Sequence, residues 1–248
     1  EAVSGLLALV NAVQKNGAGG FALLKGQLTG PISLGLAITD ENKNPLIYQE
    51  ILPEIMTKTL AMQARWQEEL LGRIAGPAKT LVFLDEPTLM CYGSAYLSLE
   101  RERVIELLSD VLGSLRGLKG AHCCGNTDWG LLLDSPIDVL SFDALDYADE
   151  FSTYSGRLGK FLENGGMIAW GIVPTSVADG VPSAKELLGL LEDRMKVVAD
   201  QGPDLDVIRE TSLITPNCGT ATLPVAAAEK VHELTCDVST LFRGKYFS

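Results

Sequence analysis

Short apolar runs of strand length alternate with longer amphipathic stretches along the chain, and this alternation limits the fold more than any other feature. No two apolar runs are joined by a hairpin-type turn. Strands that are separated by helices pair in parallel, because a parallel connection needs a crossover rather than a tight turn. The expected strands are Phe21–Lys25, Thr80–Leu84, Gly120–His122, Ile137–Phe142, Met167–Val173 and Ser212–Ile214.

Helical periodicity and helix-end signals mark the stretches between these strands. The expected helices are Ala2–Lys15, Tyr48–Ile74, Ser98–Leu115, Phe151–Glu163, Ser183–Asp200 and Leu223–Thr235. Repeated strand–helix units predict an α/β fold of the (β/α)8 TIM barrel type, as one catalytic domain over residues 1–248. Six visible strands fit a barrel that lacks one or two N-terminal strands in this chain. An open doubly wound sheet is the alternative, but the sequence has no glycine-rich phosphate loop.

Composition excludes several classes of partner and location. Hydrophobic residues make up 46% of the 248 residues, which is enough for a sizeable core. The net charge of -12 argues against nucleic acid as a partner, because phosphate backbones call for a basic surface. No apolar run approaches the ~18 residues of a membrane span, and no signal-peptide pattern is present. Five cysteines in a chain of this length do not make a disulfide framework, so we expect a reducing, cytoplasmic location.

Soft metal-ligand residues lie where two of the apolar runs end. The chain has two histidines and five cysteines, and His122, Cys124 and Cys218 all lie at the start of loops. Residues i and i+2 of a strand point the same way, so His122 and Cys124 can converge on one ion. Cys218 can join them only if the fold brings the two strand ends together. One histidine and two thiolates suit zinc, whereas the alternative is a buried histidine beside small core cysteines.

Carboxylates also lie at strand ends. Asp143 follows the strand after His122 and could be a fourth, exchangeable zinc ligand, or else a helix cap or a surface acid. Asp85 and Glu86 precede Pro87, which ends the strand because it has no amide donor. An acid held at a barrel mouth can bind a substrate ammonium group by a charge-assisted hydrogen bond. A structural ion pair is the alternative for these two acids.

Four motifs, in this order along the chain, resemble those of the catalytic barrel of cobalamin-independent methionine synthase and its relatives. They are Leu24–Pro31, Leu84–Pro87, His122-Cys123-Cys124 and Asn217-Cys218-Gly219. The resemblance covers nearly the whole chain, and the ordered set is more specific than any one motif. The histidine–cysteine motif is also similar to that of zinc methyltransferases that move a methyl group from methylcobalamin to coenzyme M. The wider superfamily includes uroporphyrinogen decarboxylase, which shares the barrel but lacks this zinc site.

The resemblance implies a zinc ion that binds a substrate thiol as thiolate, which then attacks a methyl group. By position, His122, Cys124 and Cys218 match the zinc ligands of the family. Asp143 lies where methionine synthase has a glutamate ligand, which is one methylene longer. Asp85 matches the acid that holds the amino group of homocysteine.

Two departures from the family concern the methyl donor. Folate-using methionine synthases carry a tryptophan, on which the pterin stacks, where this chain has Ile32–Ala37 with no aromatic residue. The aspartate–histidine pair that is proposed to protonate the folate leaving group falls near Val173–Ser176, where this chain has no histidine. We therefore expect methylcobalamin or a corrinoid protein as donor, because cobalt leaves as Co(I) and needs no proton.

The predicted function is a zinc-dependent methyltransferase that converts homocysteine to methionine. Coenzyme M is the alternative acceptor, and Lys25 is the strand-end cation that could hold its sulfonate. A barrel that binds zinc or a corrinoid without catalysis is an alternative of another class. A decarboxylase-like enzyme without metal is the third.

Overall fold

The computed structural model describes residues 3–17, 20–76, 79–176 and 182–247. The chain divides into two compact units. Unit 1 comprises Glu1–His122 and Asp134–Asp138, and unit 2 comprises Cys123–Leu133 and Val139–Ser248. The prediction of a single domain stays a prediction.

Unit 1 contains three parallel strands that follow one another in chain order. Its helices are α1 (Ser4–Asn16), α2 (Pro31–Ala37), α3 (Leu52–Ala75) and α4 (Arg101–Leu112), and its strands are β1 (Leu23–Thr29), β2 (Lys79–Asp85) and β3 (Leu118–Cys123). Single 3-10 turns lie at Leu46–Tyr48 and Pro87–Cys91. In the β1–β2 register Thr29 lies opposite Asp85, and in the β2–β3 register Asp85 lies opposite His122. The carboxyl ends of the three strands are therefore level.

Unit 2 repeats this pattern with three further parallel strands. Its helices are α5 (Trp129–Leu133), α6 (Ala148–Ser152), α7 (Ser155–Glu163), α8 (Ala184–Ala199), α9 (Leu205–Glu210) and α10 (Val225–Tyr246), and its strands are β4 (Val139–Asp143), β5 (Met167–Val173) and β6 (Ser212–Pro216). Asp143 pairs with Gly171, which in turn pairs with Thr215. These three positions lie side by side near the carboxyl ends of the strands.

An aromatic cluster forms the core on one face of the unit 2 sheet. The rings of Trp129 and Phe142 lie 5.6 Å apart edge to face, and Phe142 stacks on Phe151 at 4.3 Å. Trp170 lies 5.5 Å from Phe142 and donates a hydrogen bond from its Nε1 to the hydroxyl of Ser212 at 2.8 Å. Because side chains alternate along a strand, Asp143 and Gly171 lie on the opposite face from Phe142 and Trp170. Aromatic side chains thus pack on one face of this sheet, and the other face carries polar groups such as Asp143.

A glutamine and a glutamate of α3 form hydrogen bonds with backbone groups of other elements in unit 1. The Gln67 side chain accepts from the backbone N–H of Gln27 at 3.0 Å and donates to its carbonyl at 3.1 Å, so it pairs with β1 as another strand would. Gly26 makes room for this contact, because a Cβ there would lie 2.7 Å from the Gln67 Oε1 atom. The buried carboxylate of Glu68 accepts from the backbone N–H groups of Arg116 and Gly117 ahead of β3. These two side chains of α3 thus satisfy backbone groups of β1 and of the loop before β3.

The alternation that the sequence predicts is confirmed, since the described residues contain six strands, each paired in parallel within its unit. The first strand begins two residues later and ends four residues later than the predicted Phe21–Lys25, since β1 is Leu23–Thr29. The predicted helix Phe151–Glu163 divides into α6 and α7, and α10 extends well beyond Thr235. The prediction also missed α2, α5 and α9, which have seven, five and six residues and are too short to show helical periodicity.

The longest of the described helices are amphipathic. α3 has 24 residues and α10 has 22, and each buries a stripe of its side chains while its other faces carry charged groups. In the part of the chain that the structure describes, no helix is both long enough and apolar enough to cross a membrane.

Candidate functional site

The predicted site residues lie at the carboxyl ends of the strands. Asp85 is the last residue of β2 and Asp143 the last residue of β4. Cys124 follows the end of β3, and Cys218 lies two residues beyond β6. Side chains at the carboxyl ends of parallel strands converge on one edge of a sheet, where α/β proteins build their ligand sites. Each unit therefore presents its own group of chemically active residues.

In unit 2 the fold brings the thiols of Cys124 and Cys218 together. The side chain of Cys218 lies close enough to that of Cys124 to raise its pKa, although 94 positions separate the two residues (218 − 124). Both thiols are free, Cys124 is half-buried and Cys218 is exposed. Burial raises the pKa of the Cys124 thiol, and the neighbouring Cys218 and Asp143 raise it further. A cation beside Cys124 would stabilise its thiolate and so oppose this rise.

The adjacent cysteine has a different environment. Cys123 is completely buried, and its thiol donates a hydrogen bond to the carbonyl of Gly125 at 3.4 Å. The alternation of side chains along β3 accounts for the contrast between Cys123 and Cys124. Cys123 therefore belongs to the packing of unit 2.

Asp143 is 6% exposed, and both of its carboxylate oxygens accept hydrogen bonds. Its Oδ1 atom accepts from the backbone N–H of Leu145 at 3.0 Å and of Asp146 at 3.3 Å, as an aspartate that caps a turn does. Its Oδ2 atom accepts from the side-chain amide of Asn217 at 2.9 Å. Burial raises the pKa of Asp143, and the Asn217 hydrogen bond opposes that rise. Asp143 thus caps a turn and not a helix, because the N-cap residue of α6 is Tyr147. Ligation of zinc by Asp143 stays a prediction.

Asn217 is the residue of this site that the sequence reasoning did not assign a role. Its side-chain oxygen accepts from the backbone N–H and from the hydroxyl of Thr175, each at 3.0 Å. Its side-chain nitrogen donates to Asp143. The position of an asparagine immediately before Cys218 was a usable signal, because an amide can bridge donors and acceptors on different strands.

Thr215 is a second residue that the sequence reasoning passed over. Its hydroxyl oxygen is buried, and among the described residues it has no hydrogen-bond partner. Through the register with Gly171, it lies on the face of the sheet that carries Asp143. A buried hydroxyl without a partner costs free energy, so this group favours a polar ligand on that face.

In unit 1 a row of polar side chains joins β1 to β2. The Lys25 ammonium donates to the Gln27 side-chain oxygen at 2.5 Å, and the Gln27 side-chain amide donates to Oδ2 of Asp85. Lys25 also lies over the ring of Phe83, with its Nζ atom 4.6 Å from the ring centroid. Because Lys25 and Gln27 are two residues apart on a strand, their spacing was a usable signal for a shared face.

One oxygen of Asp85 is left for a ligand. Its Oδ1 atom is buried and has no hydrogen-bond partner among the described residues. Burial raises the pKa of Asp85, while the Gln27 hydrogen bond and the charge of Lys25 lower it. Burial likewise lowers the pKa of Lys25, and the charge of Asp85 opposes this. An additional hydrogen-bond donor, above all a cationic one, would stabilise the carboxylate.

Glu86 has a different environment from Asp85, although the two acids are neighbours in sequence. Its side chain is fully buried, and its oxygens accept from the backbone N–H of Ile32 at 2.9 Å and of Ser33 at 2.7 Å. These groups belong to the first turn of α2. Burial raises the pKa of Glu86 to about 7, although the hydrogen bonds from Ser33 and Ile32 oppose the rise. These contacts account for both oxygens of Glu86, and its assignment to substrate binding stays a prediction.

His122 belongs to unit 1, where its backbone carbonyl accepts the N–H of Glu86 at 2.8 Å. Its role as a metal ligand stays a prediction from the histidine–cysteine motif. Within the described residues, no three or more His, Cys, Asp and Glu side chains form a group that could hold a metal ion. The donor chemistry of the unit 2 thiols nevertheless fits zinc, which prefers thiolate ligands.

No protein-family model matches the chain, and no curated protein shows a significant match to it.

Proposed function

We propose that this protein is a zinc-dependent methyltransferase that moves a methyl group from methylcobalamin, or from a corrinoid protein, to the thiol of homocysteine to form methionine. The observation that carries the proposal is the approach of Cys124 to Cys218, beside the buried Asp143. Two thiols that meet across distant loops are the donor pair that the resemblance to zinc methyltransferases predicts. The six parallel strands, which alternate with helices, further support the proposed (β/α)8 barrel.

The proposed zinc ligands are Cys124 and Cys218, with His122 and Asp143 as the further donors that the sequence predicts. A zinc ion held by these residues would supply a positive charge that lowers the pKa of a substrate thiol, which would then be a thiolate at neutral pH. The thiols of the proposed site must lose their protons to bind zinc, and the raised pKa of Cys124 opposes this in the absence of a cation. Metal affinity should therefore increase with pH.

Asp85 is proposed to hold the amino group of homocysteine. Its Oδ1 atom is buried without a partner among the described residues, and an ammonium group supplies a charged donor for it. Gln27 occupies the other oxygen and so fixes the plane of the carboxylate. A carboxylate with one oxygen free for an ammonium group would bind a thiol that carries an amino group more tightly than one that does not.

The transfer itself balances without a general acid. The substrate sulfur forms a bond to the methyl carbon, while the bond between cobalt and carbon breaks and leaves its electron pair on cobalt as Co(I). The thiol proton goes to solvent. This donor is proposed because Ile32–Ala37 has no aromatic side chain to stack on a pterin and Val173–Ser176 has no histidine to protonate a folate.

Coenzyme M is the second candidate acceptor, and Lys25 is the cation that could hold it. Coenzyme M carries a sulfonate in place of the amino acid group, and a sulfonate needs a cation. The Lys25 ammonium lies on the same face as Asp85 and is already paired with Gln27. Its nearness to a carboxylate that accepts cations favours homocysteine over coenzyme M.

The test is the rate at which the zinc-loaded protein demethylates methylcobalamin, followed by the visible spectrum of the corrinoid. We expect demethylation with homocysteine and formation of methionine in equal amount. A reaction with coenzyme M alone would instead favour the second candidate. Zinc that binds in stoichiometric amount but keeps its ligands when homocysteine is added, as read by X-ray absorption, would indicate a non-catalytic barrel.

Protein that contains no zinc after purification, and takes up none, would contradict the proposal and favour a metal-free, decarboxylase-like activity. A protein that binds zinc but reacts only with methyl-folate would contradict the corrinoid donor. The double variant Cys124→Ala/Cys218→Ala provides the background rate, because methylcobalamin reacts slowly with thiols in solution.

A further inference from the structure

We infer that Asn217 is a positioning residue that ties the ends of β4, β5 and β6 together and thereby holds the thiol of Cys218 against that of Cys124. The inference rests on the proposed function in so far as it treats this thiol pair as the zinc site. The contacts on which it depends all lie within unit 2.

The Asn217 side chain joins two other strand ends. Its nitrogen donates to Oδ2 of Asp143, the last residue of β4, at 2.9 Å. Its oxygen accepts from the backbone N–H and the hydroxyl of Thr175, two residues beyond β5, at 3.0 Å each. An amide is the side chain that suits this position, because it presents an acceptor to two donors and a donor to a carboxylate.

The backbone of Asn217 is also fixed to β5 by a hydrogen bond. Its N–H donates to the carbonyl of Val173 at 2.9 Å, just after a register shift in the β5–β6 pairing between Gly171 and Val173. At Gly171 a Cβ atom would lie 2.8 Å from the Cα atom of Asn217 and 2.5 Å from the carbonyl oxygen of Phe142. Glycine at that position is therefore required for the close approach. Such irregularities in pairing redirect the residues that follow them, and here Cys218 is the next residue.

Cys218 depends on these contacts because it lies beyond the sheet. It is exposed, and it follows Asn217 in a loop that returns towards α10. Loss of the Asn217 side chain would leave the Thr175 N–H and an Asp143 oxygen without their partner. The loop would then hold the Cys218 thiol less firmly, and a site that two loops build together loses affinity when one of them moves.

The experiment compares Asn217→Ala with Asn164→Ala, which removes an exposed asparagine at the end of α7 in the same unit. The first measurement is the zinc dissociation constant, by competition with a chromophoric chelator. We expect Asn217→Ala to weaken zinc binding by about 10–100-fold, as other partners of metal ligands do. Asn164→Ala should leave the constant unchanged. A loss of zinc affinity without loss of far-ultraviolet circular dichroism separates positioning from general unfolding.

The second measurement does not depend on zinc. Phenylarsine oxide bridges two thiols that lie close together, forming two S–As bonds and releasing one water. Intact mass should show capture by the metal-free wild type, no capture by Cys218→Ala and markedly slower capture by Asn217→Ala. If the wild type binds no zinc but shows this pattern, the proposed function fails and the positioning role stands.

Unchanged zinc affinity and unchanged capture in Asn217→Ala would overturn the inference. If that variant does not fold, Thr175→Val takes its place, because it removes the hydroxyl but keeps the backbone N–H that bonds to Asn217. Loss of one neutral hydrogen bond should then weaken zinc binding by about 2–10-fold. No change in Thr175→Val would equally count against a positioning role.

Discussion

The carboxylate of Glu86 accepts two hydrogen bonds from Ser33, one from its backbone N–H and one from its hydroxyl, each at 2.7 Å. A third bond comes from the backbone N–H of Ile32 at 2.9 Å. Gly30 leaves space for this arrangement, since a Cβ there would overlap the Glu86 side chain. Glu86 therefore links the end of β2 to the start of α2, and it directly follows Asp85 in the chain.

The titration of Glu86 should make stability depend on pH. Its pKa is about 7 in the folded protein, against 4.5 for the free group, so the folded state binds the proton more tightly. The resulting stabilisation is complete below about pH 4.5 and is lost as the pH rises through about 7. At about 1.4 kcal/mol per pKa unit, it amounts to roughly 3 kcal/mol. Glu86→Gln cannot titrate and should lack this component.

Urea unfolding of the wild type and of Glu86→Gln between pH 4.5 and 8 measures this effect. The free energy of unfolding of the wild type, minus that of the variant, should fall across this range. The control is Glu50→Gln, which removes an exposed carboxylate of unit 1. A difference that does not fall for Glu86→Gln, or that falls equally for Glu50→Gln, would contradict the buried titration.

Cys218 should be necessary for metal binding. We expect Cys218→Ala to lose stoichiometric zinc, because it removes one of the two thiols that meet in unit 2. Cys236→Ala, which removes an exposed thiol from α10, should retain one zinc per chain. Metal content after dialysis, by elemental analysis, gives the answer. If Cys218→Ala still binds zinc tightly, Cys218 is not a zinc ligand.

Asp85 should distinguish thiols that carry an amino group. A hydrogen bond from a charged group is worth about 1.5–3 kcal/mol, so Asp85→Asn should raise the KM for homocysteine by about 10–100-fold. The KM for the analogue of homocysteine without its amino group should change little. Steady-state assays with both thiols check this, and equal effects on the two would refute the assigned role.

Gly171 should tolerate no side chain. In Gly171→Ala the new Cβ atom would lie 2.5 Å from the Phe142 carbonyl oxygen and 2.8 Å from the Cα atom of Asn217, both of which are backbone atoms. We expect the free energy of unfolding to fall by about 1–3 kcal/mol, together with a loss of zinc affinity. Gly189→Ala is the matched control, since a Cβ there meets nothing within 4 Å and the residue lies inside α8.

The control should itself be stabilised by about 0.5–1 kcal/mol, because alanine favours helix over glycine. In thermal or urea unfolding, the free energy of unfolding should therefore be lower than that of the wild type for Gly171→Ala and higher for Gly189→Ala. Destabilisation of the same size in both would mean that the close approach at Gly171 has no special importance.

The sequence was sufficient to predict the alternation of strands and helices and the strand ends at which reactive residues lie. Strand β5 has the predicted bounds, Met167–Val173, because a buried parallel strand is an unbroken apolar run. Asp85, Cys124 and Asp143 also lie at or just after strand ends, as expected. These features are local, since apolar periodicity and breaks in it are properties of a few consecutive residues.

The short helices and the roles of individual side chains were not predictable in this way. α2 has seven residues and no periodicity to detect, and yet its first turn determines the environment of Glu86. Asp85 and Glu86 look equivalent in the sequence, but one keeps an oxygen without a partner and the other is enclosed by a helix. Their difference depends on an element more than 50 residues away, as the hydrogen bond between Ser33 and Glu86 shows.

The sequence by itself thus determined which kinds of residue meet at the ends of parallel strands, because alternation and strand length are encoded locally. The tertiary structure alone decided which of them touch. The Asn217 amide reaches Asp143 across 74 positions, and the Cys124 and Cys218 thiols meet across a still longer separation. Contacts of this kind depend on the register and twist of the sheet and on close approaches such as that at Gly171, and no local pattern of residues specifies them.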